Sequence, residues 1–342
     1  MNIDIDALKA IEAQEGIDRA ELLDTISSAL LYAYYDSKEA GDTKKELRSP
    51  AATSSKAHVT IDPDTGAVAV FVLERDDDGE VVAEYDDTPV NFSRVGAMAV
   101  RDAMFKRMRT AEAHKAYDEY AEREGHVVSG VVQADSFANE RGIIKVQVGT
   151  ETAPQDGVLL PAEQIPGEKL AHGDRVKAYV VGVNKGDKFA QVNLSRTHPE
   201  LVRGLFALEV PEVADGSVEI VSIAREAGHR SKVSVKGVAK GINAKGACIG
   251  PRGSRVTNIM DELGGEKIDI VDYSDDPAQY VGNALAPSKV VRVDIVDAAA
   301  QVARVIVPDY QLSLAIGKEG QNARLAARLT GWKIDIHSDA DA

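Results

Sequence analysis

A single cysteine, Cys248, stands among 342 residues, so the chain can build neither a disulfide framework nor a cysteine-based zinc cluster. That scarcity fits a reducing compartment. Long apolar runs are missing as well. Val68 to Leu73 is typical of the longest, far short of the roughly 20 residues that cross a membrane. The start, Met1-Asn2-Ile3-Asp4-Ile5-Asp6, lacks the basic stretch and apolar core of a signal peptide, and a cytoplasmic chain is expected. Catalytic patterns are absent too: there is no GxxxxGK[ST], GxGxxG, HExxH or GxSxG, and the seven histidines are scattered. No enzymatic activity, cofactor or metal is expected. Asp76-Asp77-Asp78 ahead of Gly79 could hold a divalent cation, but the same residues make an ordinary solvated acidic loop.

Apolar residues make up 44% of the sequence, enough for folded domains rather than a disordered chain. The net charge of −15 argues against a nucleic-acid partner until its distribution is considered. Residues 1–125 hold 15 Lys and Arg against 27 Asp and Glu, so most of the acidity lies in the first third. Between 220 and 260 the balance reverses: Arg225, Arg230, Lys232, Lys236, Lys240, Lys245, Arg252 and Arg255 face a single acid, Glu226. Phosphate affinity follows the local field rather than the whole-chain sum, so this segment is a candidate footprint for nucleic acid. A solvated charged face is the alternative.

The first third predicts an α/β head. Leu22, Leu23, Ile26, Leu30 and Tyr34 recur at helical spacing over 18–40, and the polar stretch Gly41 to Lys56 predicts a loop. His58–Ile61 and Ala67–Leu73 read as strands joined by the turn Asp62-Pro63-Asp64-Thr65-Gly66, with Val81–Ala83 as a third strand. A long connector helix is predicted from Ser93 to Glu124, stopped by Gly125, with Val95, Met98, Phe105 and Met108 near one face.

From His126 to about Thr197 the period falls to two. Val127–Val132, Ile143–Val148, Gly157–Leu160, Arg175–Val183 and Ala190–Leu194 predict a small all-β barrel. Gly130-Val131-Val132, Gly157-Val158-Leu159-Leu160 and Gly173 to Val180, closing on Leu194-Ser195-Arg196, resemble an S1 domain, an OB-fold that binds RNA. Ile143 and Ile144 occupy a place where strong S1 binders carry aromatics. Stacking contributes about 1–3 kcal/mol per base, so the barrel is expected to be a spacer and auxiliary contact.

The C-terminal part is an internal repeat. Ile249-Gly250-Pro251-Arg252-Gly253 matches Ile316-Gly317-Lys318-Glu319-Gly320, and Lys267-Ile268-Asp269-Ile270 matches Lys333-Ile334-Asp335-Ile336. Between them each copy carries a helix, marked by Val256, Ile259, Met260 and Leu263 in the first and by Ala323, Ala326, Ala327 and Leu329 in the second. Two strands precede each copy, Ser217–Ala224 with Lys232–Val238 and Val290–Val296 with Ala303–Val307. This order is that of a type II KH domain. A Gly-x-x-Gly tetrad alone is a weak signal; the shared surroundings make these two a pair. Glycines let the backbone approach a ribose-phosphate chain, and the helix start beyond them offers N–H groups to phosphate. The candidate RNA contacts are Ile249, Gly250, Pro251, Arg252, Gly253, Ser254 and Arg255 with Arg230, Lys232 and Lys236, and then Ile316, Gly317, Lys318, Glu319, Gly320, Gln321, Asn322 and Arg324. Ile249 and Ile316 could pack beneath bases or into the core. Glu319 repels phosphate, so the second copy is expected to grip less tightly.

The fold class is therefore α+β multidomain: an acidic head with connector helix (1–125), an S1 OB-fold barrel (126–198) and tandem type II KH domains (199–275 and 276–342). This order closely resembles the NusA family of bacterial transcription factors. The stretches that carry the resemblance are Leu194 to Leu201, Phe206 to Glu212, Ile220 to Val235, Gly246 to Gly250, Glu262 to Val271 and Ile316 to Trp332; the head matches loosely and is more acidic than in many members. The resemblance implies a monomeric, non-enzymatic elongation factor that binds RNA polymerase and nascent single-stranded RNA. It would modulate pausing, termination and antitermination, the last with other Nus factors and a ribosomal protein. Arg101, Lys106, Arg107 and Arg109 on the long helix would then contact polymerase or an emerging RNA hairpin, unless they form a solvated face. S1 and KH modules also meet in a phosphorolytic RNA-degrading enzyme, but there KH precedes S1 and catalytic domains come first. A ribosomal KH protein would lack the barrel and the acidic head.

Overall fold

The computed structural model describes residues 1–38, 57–76, 80–90, 92–135, 138, 140–150, 153–186 and 190–340. The expected loop at Gly41 to Lys56 and the acidic residues Asp77 and Asp78 with Gly79 lie outside them. The chain forms two units, Met1–Asp118 with Lys185–Ala190, and Glu119–Asn184 with Gln191–Ala342.

In the first unit, helix α1 (Ile5–Glu15) begins where the Asp4 carboxylate accepts the N–H groups of Asp6 and Ala7, both at 3.0 Å. Helix α1 carries no buried apolar stripe, because only Leu8 of its residues is buried. Helix α2 (Arg19–Lys38) buries Leu22, Ile26, Leu30 and Tyr34 along one stripe. The stripe packs on strands β1 (Ala57–Ile61) and β2 (Val68–Arg75), an antiparallel hairpin whose turn is pinned by Asp62 Oδ1 accepting the Thr65 N–H at 2.7 Å. Strand β3 (Val81–Asp86) pairs with β2 and leaves its other edge exposed. Helix α3 (Phe92–Ala121) buries Phe92 and Met104 in this core. Met98 and Phe105, read as part of one apolar face of the helix, are each 55% exposed.

The second unit opens with the barrel. Strands β4 (Val127–Gln133), β5 (Ile144–Thr150), β6 (Ala153–Leu159), β7 (Arg175–Lys185) and β8 (Ala190–Ser195) close in the order β4-β5-β6-β8-β7. Alternation supplies the interior: Val128, Val132, Val146, Val148, Val176, Val180, Val192 and Leu194 point inward, with Tyr120 packed against them. Arg196, just past β8, is 1% exposed at the join to the next module. Its five guanidinium hydrogens are all used: two on the Glu168 carboxylate, two on the Lys177 carbonyl and Glu262 carboxylate, and one on the Glu262 carbonyl. Burial opposes the Arg196 charge, but Glu168 and Glu262 overcome that cost and raise its pKa.

Two modules of one topology follow. The first runs α4 (Pro199–Glu209), α5 (Pro211–Ala214), β9 (Val218–Glu226), β10 (Arg230–Gly237), α6 (Ala244–Ile249), α7 (Ser254–Glu262) and β11 (Lys267–Asp272). The second runs α8 (Pro277–Ala284), β12 (Arg292–Asp297), β13 (Val302–Val307), α9 (Leu312–Ile316), α10 (Gln321–Thr330) and β14 (Lys333–Ser338). In each, the first two strands pair antiparallel and the last joins parallel to the central one. The repeated Lys-Ile-Asp-Ile is that last strand both times, β11 and β14. The modules are fused rather than strung. Ala224 of β9 and Val271 of β11 belong to the core of the second module, and Ser222 Oγ and the Tyr280 hydroxyl both donate to the Leu329 carbonyl, at 3.1 and 3.3 Å.

Candidate nucleic-acid interface

The two glycine loops superpose angle by angle. Gly250 and Gly317 have φ of 75° and 78°, Arg252 and Glu319 have φ of 55° and 54°, and Gly253 and Gly320 have φ of 79° and 72°. Left-handed backbone at Arg252 and Glu319 costs on the order of 1 kcal/mol each, because their Cβ crowds the following carbonyl. The same strain kept at the same place in both copies marks a conformation that the fold enforces. The glycines divide into two kinds. A Cβ on Gly317 would stand 2.8 Å from the Asn322 nitrogen, and one on Gly250 would stand 2.6 Å from Arg255 Cγ. At Gly253 and Gly320 nothing lies within 4 Å, so their outer face is open to an approaching backbone. Helices α7 and α10 start immediately beyond with no side-chain cap, which leaves their first-turn N–H groups for an anion.

Arg252 and Lys318 are exposed at the loop tips and have no ion-pair or hydrogen-bond partner among the described residues. The other expected contacts are more committed. Arg255 donates to Glu212 at 2.9 Å and to the Ala247 carbonyl at 2.7 Å. Arg230 holds Asp269 through two bonds of 2.7 and 2.9 Å. Lys236 lies over the Tyr273 ring, with its ammonium 4.9 Å from the centroid. Gln321 and Arg324 donate to Glu226 at 2.9 and 2.7 Å. Ser254 is exposed, Ile249 is half-buried against the first module's core, and Ile316 is exposed.

Two expected contacts are corrected. The Lys232 side chain is 0% exposed; its ammonium is spent on Asp269 at 3.0 Å and the Ala286 carbonyl at 2.8 Å. Burial pulls the Lys232 pKa down, with Asp269 opposing. Asn322 is buried, its amide bridging the Leu285 and Ala315 carbonyls at 3.1 and 3.0 Å. Neither reaches solvent, so neither can touch an RNA strand. Arg225, counted in the basic segment, is likewise buried against Glu266. The local positive field is therefore narrower than the residue count implied.

Sequence reasoning missed the importance of Glu226, the lone acid of that segment. Ending β9 of the first module, it receives Gln321 and Arg324 from the helix that starts at the second glycine loop, with Arg328 at 3.9 Å. The Arg324 guanidinium, against the opposing effect of burial, holds the Glu226 carboxyl below its usual range. A lowered carboxyl pKa means that the link is complete above the ordinary value of about 4.3 and is lost as pH falls through the lowered one. Glu226→Gln is thus expected to speed amide exchange in α10 beyond its first turn at pH 7. The gap from wild type should shrink at low pH, as the parent chain loses the same charge.

On helix α3, Arg107 donates to Glu21 at 2.6 Å and Arg101 to Asp102 at 3.1 Å, whereas Lys106 and Arg109 are exposed without a partner among the described residues. No described helix is long and apolar enough to cross a membrane.

Comparison with known proteins agrees with this architecture. The family described as the NusA-like first KH domain matches residues 196–273, and the NusA-like second KH domain matches 277–342. The transcription termination/antitermination protein NusA of Mycobacterium bovis is 56% identical over 340 residues, covering 99% of this chain and 94% of that protein. The Bacillus subtilis protein of the same name is 41% identical over 354 residues, with 99% and 91% covered, and that of Thermus thermophilus is 36% identical over 355, with 97% and 88% covered. With a five-stranded barrel leading into two fused KH modules, and this identity along nearly its whole length, the chain belongs to the NusA family.

Proposed function

We propose that this chain is a cytoplasmic, monomeric, non-enzymatic transcription elongation factor that holds nascent single-stranded RNA along its barrel and KH modules while its head binds RNA polymerase. In this reading residues 1–125 are the polymerase-binding part, 126–198 the S1 barrel, and 199–275 and 276–342 the KH domains. The observation that carries it is the matched pair of strained glycine loops, each presenting a cation unpartnered among the described residues and a helix start with no side-chain cap. Each such loop clamps about four nucleotides. Lys106 and Arg109, exposed on α3, are the strongest candidates there for polymerase or an RNA hairpin; Arg101 and Arg107 are already paired within the chain. By modulating pausing, the factor would influence termination and antitermination, the latter with other Nus factors and a ribosomal protein.

A crosslinking map of the protein on a transcribing polymerase tests the division of labour. The proposal expects adducts from the head to polymerase and from both loops to RNA; adducts confined to ribosomal subunits would contradict it. The loops also make a charge prediction. Glu319→Lys is expected to tighten RNA binding several-fold at low salt and to steepen the log–log salt slope by about 0.7, the value for one added phosphate contact on a single strand. An unchanged slope would show that position 319 does not face phosphate.

A further inference from the structure

The two KH modules differ along the stripe that leads into their glycine loops. Tyr310 lies in the single turn before α9 and Leu314 within the helix four residues on, and the helix ends at Gly317. Tyr310 is 79% exposed, Leu314 47% and Ile316 38%. The fold does not use them: Leu312 and Ala315, on the opposite side, make the contacts with the core. In the first module the corresponding positions read otherwise. Asn243 stands in place of Tyr310 and caps α6 by accepting the Gly246 N–H at 2.9 Å, and the small Ala247 stands in place of Leu314. One position is spent on helix capping in one copy and offered bare to solvent as an aromatic ring in the other. The Tyr310 hydroxyl has no hydrogen-bond partner among the described residues, so the ring is not held out for a polar contact within the chain.

We infer that Tyr310 is a base-stacking platform of the second module, with Leu314 flooring the same stripe, and that its ligand is a nucleobase of the RNA strand whose backbone lies on Gly317–Gly320. The inference rests on the reading of that loop as an RNA clamp and deepens it. An aromatic face accepts any base, so Tyr310 adds affinity without demanding a sequence. The repulsion from Glu319 and the stacking on Tyr310 then act in opposite directions within one module. The first module grips through the cation Arg252; the second has the cation Lys318, opposed by Glu319, and adds an apolar and aromatic stripe.

The test uses the full chain and a fluorescein-labelled, randomised 12-nucleotide single-stranded RNA. Tyr310→Ala is expected to weaken binding about tenfold, the equivalent of one lost stack, while leaving the thermal unfolding midpoint nearly unmoved because the residue is 79% exposed. Tyr310→Phe should regain the affinity that Tyr310→Ala loses. A 4-thiouridine version of the probe should crosslink to the peptide that holds Tyr310. Full affinity in Tyr310→Ala, alongside a weakened Lys318→Asp/Glu319→Asp variant, would overturn the stacking role and leave the clamp standing. Full affinity in both would overturn the clamp itself. A Tyr310→Phe chain as weak as Tyr310→Ala would mean that the hydroxyl, not the ring, makes the contact, and would equally reject stacking.

Discussion

Replacing both loop tips by aspartate (Pro251→Asp, Arg252→Asp, Lys318→Asp and Glu319→Asp together) is expected to lower RNA affinity on the order of 100-fold without unfolding the chain. Arg252 and Lys318 are the loop-tip cations without a partner among the described residues, and losing each removes a charge-assisted contact. At about 1.4 kcal/mol per tenfold, two such contacts account for the drop before any repulsion from the new carboxylates is added. The fold should survive for a backbone reason. Positions 252 and 319 sit at φ of 55° and 54°, a region that aspartate tolerates better than arginine or glutamate. Fluorescence anisotropy and far-ultraviolet circular dichroism on the same sample check both halves. Unchanged affinity in a folded variant would remove the loops from the interface.

The second large effect is on stability. Glu266 is 0% exposed and gathers the Arg225 guanidinium, the Gly228 N–H at 2.9 Å and the Ser231 hydroxyl at 2.6 Å. Arg225 is 1% exposed and also donates to the His198 carbonyl at 2.8 Å. Glu266→Ala leaves that guanidinium buried without its counter-charge, which costs about 3–5 kcal/mol. Such a loss is a large fraction of a domain's stability. The double change Arg225→Met/Glu266→Met removes both charges together and is expected to cost far less, since the penalty comes from the orphaned partner rather than from the pair. Urea denaturation of the three chains decides it. A Glu266→Ala chain as stable as its parent would show that the buried pair contributes nothing to the first KH module.

What could be read from the residues divides along a physical line. Periodic features were legible: the α2 stripe at Leu22, Ile26, Leu30 and Tyr34, the alternating barrel strands, and the twofold Ile-Gly-x-x-Gly with its Lys-Ile-Asp-Ile strand. Helix α1 was not, because its start and stop lie in single capping residues, Asp4 and Gly16, and only one of its side chains is buried. Charge was the least legible property. Lys232 and Arg225 were counted toward an RNA-binding surface, yet their partners Asp269 and Glu266 lie 37 and 41 residues away along the chain. Lys232 meets Asp269 through the parallel pairing of β10 with β11, and Arg225, on β9, is brought toward Glu266 by the antiparallel pairing of β9 with β10; a residue count sees neither. The junction residue Glu226 was hidden for the same reason, its partners Gln321 and Arg324 lying 95 and 98 residues on.

The central claim is that two clamps act on one strand. Binding measured against single-stranded RNAs of increasing length tests it most directly, because each loop spans about four nucleotides. Affinity should climb steeply until about eight nucleotides and then level off, and the Lys318→Asp/Glu319→Asp variant should level off at about four. A parent chain that already reaches its full affinity with about four nucleotides would show that the loops do not share a strand, and would contradict the account.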